Sequence, residues 1–424
     1  MTFQQEGRHA RRNRMELKSD EDGKIIITGK GDDEMSLNWL EEKLPLTTTI
    51  DGSSIDLQLY QLVAEKPGPH LYLQSGVHGA ELQGHLVLIE LLKSLPHLLN
   101  AGSVSCIPFA NPLGLNNKSG EFTPGRYDPV SRENWNRNYL ELPSKPIEEL
   151  WNWDEIIQKV NAPEDGWQDR YREICQRFLV EKLEFDRQNF NLSLARKLAY
   201  TLQLEAIPAD YVLDLHTGPR ATRYLYTSEC MLEKSKDLGF PYSIVIPHEF
   251  DGAMDEAVLM PWIHLQKQLA KKGIEIEVPV ESYTLELGDE EVVSRPDAVE
   301  DLSRIFHFMM KRSMIDQDVF EGWFKESFGE SFPGYDHAAL FAASLKSFRT
   351  YRCPLSGLVE YLVQPGEKVV EGQALFRVFE AKRPMDRDQF TVCSLNEGHV
   401  INVCMSSAVR EGMRLVDVLE TDTH

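Results

Sequence analysis

The sequence predicts an α/β protein with a helical insertion and a small all-β domain at its C-terminal end. Three observations carry this. Strand and helix signals alternate over residues 46–110 and resume from Tyr211 to Lys311. The stretch 140–205 is rich in Glu, Gln, Arg and Leu and reads as two or three amphipathic helices. From about Phe341, short strands and glycine turns take over. A chain of 424 residues exceeds one compact core, so more than one domain is expected. The division reads as an N-terminal arm (1–45), a main domain (46–335) holding the insertion, and a β domain (336–424).

Residues 1–35 are polar and mixed in charge, with a strand signal at Ile25–Thr28. Asp56–Leu62 alternates with period two, as a half-buried strand does. Leu71–Ser75 is a short strand ending at Gly76. A helix follows from Leu82 to about Lys93, and Ser103–Phe109 is the next strand. Four of the seven tryptophans lie between Trp135 and Trp167. They place the insertion near a site or simply pack it, and packing is the more ordinary use. Beyond it, Tyr211–Leu215, Ser243–Pro247 and Ser282–Leu287 read as strands, and Glu256–Lys271 and Pro296–Lys311 as helices.

The C-terminal region contains a weak internal repeat. Gly357-Leu-Val-Glu-Tyr-Leu-Val leads to Glu371-Gly372 and Gln-Ala-Leu-Phe-Arg-Val. Gly398-His-Val-Ile-Asn-Val leads to Glu411-Gly412 and Met-Arg-Leu-Val-Asp-Val. Two similar β units predict a small barrel or sandwich. The pattern resembles a lipoyl- or biotinyl-type β fold. Lys382 lies between the halves, where such carriers bear their modified lysine, but its neighbours lack the flanking methionines of that motif. A plain hairpin is the better reading.

Composition excludes several classes. The formal net charge is −22, which repels phosphate backbones and argues against nucleic-acid binding. A site for an anionic small molecule must then carry its own local cations. The six cysteines form no CxxC pair and read as buried or free thiols. No apolar run is long enough for a membrane span, and the basic N-terminus has no apolar segment behind it. The expectation is a cytoplasmic protein with no membrane or nucleic-acid partner. Assembly into a homo-oligomer stays open.

One constellation carries chemistry. Gly76-Val-His78-Gly79-Ala-Glu81 sits between a strand and a helix, so His78 and Glu81 can point at one centre. His216, in Asp214-Leu-His216-Thr-Gly218 at the end of an apolar strand, is the candidate third ligand. Two histidines and one carboxylate with a fourth position open is a catalytic rather than a structural zinc arrangement. An isolated HxxE occurs by chance, and either histidine alone reads as a turn or core residue. Both fall at strand C-terminal ends followed by glycine, where open α/β sheets place their sites. Asp214 is placed to orient a ligand or to face the other side of its strand.

With these residues the chain resembles the zinc carboxypeptidase superfamily, and within it the succinylglutamate desuccinylase/aspartoacylase family, over roughly residues 45–310. Five motifs occur in family order: Gly-Val-His78-Gly-Ala-Glu81, Asn111-Pro112-Leu-Gly, Arg126 with Asn136-Arg137 ten residues on, Asp-Leu-His216-Thr-Gly, and Thr284-Leu-Glu286-Leu-Gly288. The resemblance implies a mixed-sheet carboxypeptidase-like fold with one zinc per chain on His78, Glu81 and His216. It implies Arg126 as the group polarising the scissile carbonyl, Asn136 and Arg137 as a grip on the substrate carboxylate, and Glu286 as general base. The implied activity is hydrolysis of the amide bond of an N-acyl amino acid or similar small anionic substrate.

Two other functions stay in view. One is a carboxypeptidase acting on short peptides or amino-acid conjugates. The other is a non-catalytic metal-binding or carrier-type protein, which the presence of both Arg126 and Glu286 argues against. Taken singly, Arg126 and Arg137 also read as salt-bridge partners of Asp128 or Glu133. His70, His85, His248 and His264 lack partner spacing and read as structural or surface residues. Asp255 and Glu256 read as helix N-terminal acids. The chain departs from the family at Trp135, where a smaller aliphatic residue is usual, and in its long insertion. Both are expected to reshape the region that selects substrate, and no motif marks the residues that read the acyl group.

Overall fold

Period-two apolar stretches and near-continuous apolar runs sort into one large sheet. In the computed structural model its strands are β1 (Met15–Ser19), β2 (Ile25–Gly29), β3 (Leu40–Thr48), β4 (Ser54–Val63), β5 (Lys66–Ser75), β6 (Ala101–Ile107), β7 (Tyr211–Gly218), β9 (Arg223–Ser228), β10 (Tyr242–Ile246), β11 (Glu281–Asp289) and β12 (Phe341–Ser344), with a short β8 (Arg220–Ala221) outside it. The structure describes residues 15–19, 25–29, 37–142, 152–160, 166–337, 340–380, 382 and 390–421.

The strand order is β1-β2-β3-β4-β6-β5-β7-β11-β9-β10-β12. The centre is parallel: β5 pairs with both β6 and β7, and β7 with β11. β9 runs antiparallel to β11, which makes the sheet mixed. The central strands are buried along most of their length, as parallel strands covered on both faces should be. Every strand and helix foreseen in the main region occurs, with ends shifted by a few residues. Not foreseen were β1, β3, β8, β9, the short helices at Pro112–Leu115 and Leu232–Ser235, and the helix at Gln317–Phe328. β12 opens the region where the sequence texture changes, yet it joins the large sheet beside β10.

The helices are α1 (Gln83–Ser94), a short α2 (Pro112–Leu115), α3 (Trp153–Val160), α4 (Trp167–Gln188), α5 (Leu194–Ala206), a short α6 (Leu232–Ser235), α7 (Met254–Ala270), α8 (Arg295–Lys311) and α9 (Gln317–Phe328). The described residues of the insertion thus form three helices. Ser193 caps α5 and Ser294 caps α8, each accepting from a backbone N–H three residues on. α1 packs against α8 and the central strands. Trp167, Tyr171 and Trp262 meet edge to face, which ties α4 to α7. Among the described residues no helix is long and apolar enough to cross a membrane.

The C-terminal region forms two antiparallel sheets over a separate apolar core. One is β13 (Phe348–Arg352), β20 (Arg414–Glu420), β18 (Gly398–Val403) and β15 (Lys368–Val369), which β8 joins through β18. The other is β17 (Phe390–Cys393), β16 (Ala374–Glu380), β14 (Gly357–Tyr361) and β19 (Ala408–Val409). Two facing sheets match the sandwich alternative. β14–β16 and β18–β20 are the two halves of the sequence repeat, each paired antiparallel. Lys382 is exposed between β16 and β17; its immediate neighbours lie outside the described residues. A small cluster of Tyr224, Ile244, Ala343, Ile401 and Leu419 packs the β domain against the large sheet.

Candidate metal centre and substrate cavity

The chain leaves β5 through Gly76, whose φ is +72°. A Cβ there would also run into the His85 ring, so glycine is needed for conformation and for space. His85 is structural, as read: its Nδ1 lies 2.5 Å from Pro108 O and 3.1 Å from Ser75 Oγ.

Three glycines then bring three motifs into contact. A Cβ on Gly79 would overlap the Gly114 backbone, and one on Gly125 would lie 2.6 Å from both Gly79 Cα and Gly114 O. Gly79 N–H donates to Gly125 O at 2.9 Å. Asn111 Nδ2 donates to Val77 O at 2.8 Å, and its Oδ1 accepts from Gly114 N–H at 2.8 Å. The loop of His78 and Glu81, the Asn111-Pro112 turn and the segment before Arg126 are thereby locked together.

His78 and Glu81 meet His216 from β7. Their ligating atoms lie within 4.8 Å of one another, and all three residues are buried. His78 Nδ1 is 2.8 Å from Glu81 Oε1, and His216 Nδ1 is 2.6 Å from Glu81 Oε2. His216 Nε2 lies 2.8 Å from Asp214 Oδ2, and Asp214 Oδ1 accepts from Gln74 Nε2 at 3.0 Å. Asp214 therefore faces the ligand. His78 Nε2 lies 2.9 Å from Asn134 Oδ1, a contact the sequence did not reveal.

The electrostatics follow from burial and proximity. Burial opposes ionisation of Glu81, but the two histidines outweigh it and hold its carboxyl below the usual range. Burial lowers the pKa of His78 against the pull of Glu81. His216 is also desolvated, yet Asp214 and Glu81 together raise it well above the ordinary value.

The other predicted residues gather around this centre. Arg126 Nη1 lies 3.7 Å from Glu81 Oε1, with half its side chain exposed. Its neighbour is thus Glu81, while Glu133 pairs with Arg196 at 3.5 Å. Asn136 Nδ2 approaches His216 Nε2 at 3.4 Å. Arg137 donates from Nη1 to Asn136 O at 2.7 Å and from Nε to Asp251 Oδ2 at 3.1 Å. Glu286 pairs in register with His216 across β11 and β7. It is buried, and its Oε2 has no hydrogen-bond partner among the described residues. Burial, then the charge of Glu81, pushes its pKa up to about 8.

All seven predicted residues line one cavity of about 460 Å³. Sequence reasoning missed part of its wall. Tyr224 and Tyr226 of β9, Asn402 of β18, Arg414 of β20 and Asp255 of α7 also line it. Asn402 and Arg414 fall within the C-terminal repeat and Asp255 at a helix start, but nothing in those patterns points to the cavity, and only the fold brings these residues together. Asp255 and Glu256 both lie in the first turn of α7, as read. Glu256 Oε2 accepts from the N–H groups of Asp251, Gly252 and Ala253 at 2.6–3.3 Å. Asp255 also lines the cavity, while His248 is bonded to Ser228 Oγ at 2.7 Å.

One expectation about the selecting region needs correction, and the other falls partly on residues 143–151 and 161–165, outside the described residues. Trp135 does not reshape the cavity: it is 1% exposed, sits in the main core and is absent from the cavity wall. No described residue of the 140–205 insertion lines the cavity either. Of its helices, α5 packs against α7 and β3, α4 against α5, and α3 against α4.

The chain is similar to known proteins along most of its length. The model of the succinylglutamate desuccinylase/aspartoacylase catalytic domain matches residues 67–311. A protein described as a succinylglutamate desuccinylase/aspartoacylase from Shewanella frigidimarina is 29% identical, with a TM-score of 0.77 over 90% of this chain and 97% of that one. A protein of the same family from Shewanella amazonensis is 31% identical, with a TM-score of 0.76 over 89% and 98%. The ectoine utilization protein EutE from Ruegeria pomeroyi shares the fold at 16% identity, with a TM-score of 0.60 over 97% and 100%. No curated protein matches. The chain belongs to the succinylglutamate desuccinylase/aspartoacylase family.

Proposed function

We propose that this protein is a zinc-dependent hydrolase cleaving the amide bond of an N-acyl amino acid or similar small carboxylate-bearing compound. The observation that carries the reading is the convergence of His78, Glu81 and His216 with Arg126, Asn136, Arg137 and Glu286 on one cavity. Two imidazoles and a carboxylate, buried with ligating atoms within 4.8 Å, fit a catalytic zinc with an open coordination position. Bound there, zinc would supply Lewis acidity toward the scissile carbonyl and acidify a water.

The chain's own groups do the rest. Glu286 takes a proton from the attacking water and delivers it to the nitrogen as the C–N bond breaks. Its buried, unpartnered Oε2 is free for that exchange. Arg126 stabilises the negative charge that develops on the carbonyl oxygen. Asn136 and Arg137 hold the substrate carboxylate, and Arg137 supplies the planar fork that suits it. A cavity of about 460 Å³ suits a small molecule.

The test is turnover of a panel of N-acyl amino acids and short peptides. Activity should vanish on chelation and return with zinc. Glu286→Gln should keep the metal and lower kcat by about 10² to 10⁴. Normal turnover by that variant would sink the mechanism, and a preference for peptides would favour a carboxypeptidase.

A further inference from the structure

The cavity beside the carboxylate grip is short of positive charge. Asp255, in the first turn of α7, is 5% exposed and lines the cavity. No side-chain donor among the described residues pairs with it, and the donor beside it is the backbone N–H of Glu256. Asn136 lines the same cavity, and its Oδ1 is buried with no hydrogen-bond partner among the described residues. The arginines of the cavity bond other acids: Arg126 lies by Glu81, Arg414 is bonded to Asp417, and Arg137, bonded to Asp251, reaches Asp255 only as a nearby charge. Glu249 adds another carboxyl to the wall.

Asp255 thus offers the cavity a carboxyl that no side chain of the described residues neutralises by a hydrogen bond. Ionised, it only accepts, so a ligand that completes it brings N–H donors. An ammonium offers three and a guanidinium five. A second carboxylate placed here would instead meet the carboxyls of Asp255 and Glu249.

We propose that Asp255 is a cation subsite, so that the amine half of the substrate is a basic amino acid. Its α-carboxylate rests on Asn136 and Arg137, and its side-chain ammonium or guanidinium on Asp255. This rests on the reading of Asn136 and Arg137 as the carboxylate grip. Asp255 then acts as a specificity residue and takes no part in bond cleavage.

The experiment compares Nα-acetyl-lysine, Nα-acetyl-norleucine and Nα-acetyl-glutamate as substrates of the zinc-loaded protein. It also titrates free lysine, norleucine and glutamate calorimetrically, which needs no turnover. The lysine compound should exceed norleucine by roughly tenfold or more in kcat/KM, with glutamate poorest. Asp255→Asn should erase that advantage, so that the lysine compound no longer exceeds the norleucine compound. Free lysine should bind with the same preference and the same dependence on Asp255. Lysine-selective binding without hydrolysis of any compound would keep the subsite and reject the hydrolase reading. Hydrolysis or binding that ranks norleucine or glutamate level with lysine overturns the subsite, as does the absence of lysine binding. The ranking by the unaltered protein decides the matter even if the variant folds poorly.

Discussion

The two walls of the cavity differ in how tightly they are built. The wall from β5, β7 and β11 carries His78, Glu81, His216 and Glu286, with three ring-to-carboxylate contacts of 2.6–2.8 Å among His78, Glu81, His216 and Asp214. The wall from the β domain carries Asn402 and Arg414. Asn402 Oδ1 is buried without a partner, and Arg414 is already bonded to Asp417 at 2.6–2.8 Å. The walls touch at Gly218, where a Cβ would lie 2.5 Å from Asn402 Oδ1. The first wall is organised around an interaction centre and the second around shape. Each rests on its own apolar core. The lesson is a division of labour, with chemistry on the sheet and selection on what closes over it.

Removing a ligand from the first wall should have the largest effect. His216→Ala leaves Glu81 and Asp214 facing each other across an emptied position. Metal content should fall to a small fraction, and hydrolysis by on the order of a thousandfold or more. Elemental analysis with steady-state kinetics checks this. Full metal retention would show that the triad is not the centre that sets this wall apart.

A change in the second wall should be milder and of a different kind. Arg414→Lys keeps a cation beside buried Asp417, itself held by Thr350 Oγ1 at 2.7 Å, but loses the planar fork. KM should rise by roughly three- to tenfold with kcat nearly unchanged, the signature of lost uniform binding. A fall in kcat like that expected for Glu286→Gln would place Arg414 in the chemistry and end the comparison.

The same contrast explains what the sequence made legible. His78, Glu81, His216 and Glu286 sit in short motifs at the ends of strands, where local pattern and site coincide. Gly79, Gly114 and Gly125 reveal why those motifs recur together, because their bare Cα atoms let three loops touch. The fold was legible for a similar reason, since buried parallel strands announce themselves as apolar runs. Asn402, Arg414 and Tyr224 were not, because each is one residue in an ordinary strand and acquires meaning from strands paired at a distance along the chain. β8 against β18 is such a pairing: it sets Asn402 opposite Ala221. Trp135 misled in the opposite direction. Adjacency to Asn136 in sequence is not adjacency to the cavity, since its side chain points into the core while that of Asn136 lines the site.

The smallest expected effect concerns the cavity floor and is one of stability. Burial, then the charges of Glu256 and Asp214, pushes Asp255 up to about 7 from its usual 3.8, although Arg137 opposes the shift. A raised carboxyl pKa leaves stability intact at low pH, where both folded and unfolded chains hold the proton. Above about pH 4 the unfolded chain releases it first, so the folded state loses ground until the pH passes about 7. Asp255→Asn carries no such proton. In the metal-free, ligand-free protein it should match the parent near pH 4 and exceed it at pH 8 by about 1–3 kcal/mol, read as a shift in urea midpoint. Glu286 and Glu290, also raised, tilt parent and variant alike, so the difference between the two curves isolates Asp255. A variant less stable than its parent at pH 8 would mean that the ionised carboxyl is held by the fold itself. Asp255 would then belong with the interlocked wall of the metal centre. A gain in stability instead marks it as a group kept at a cost to the folded state, which is how a residue behaves when its partner is a ligand.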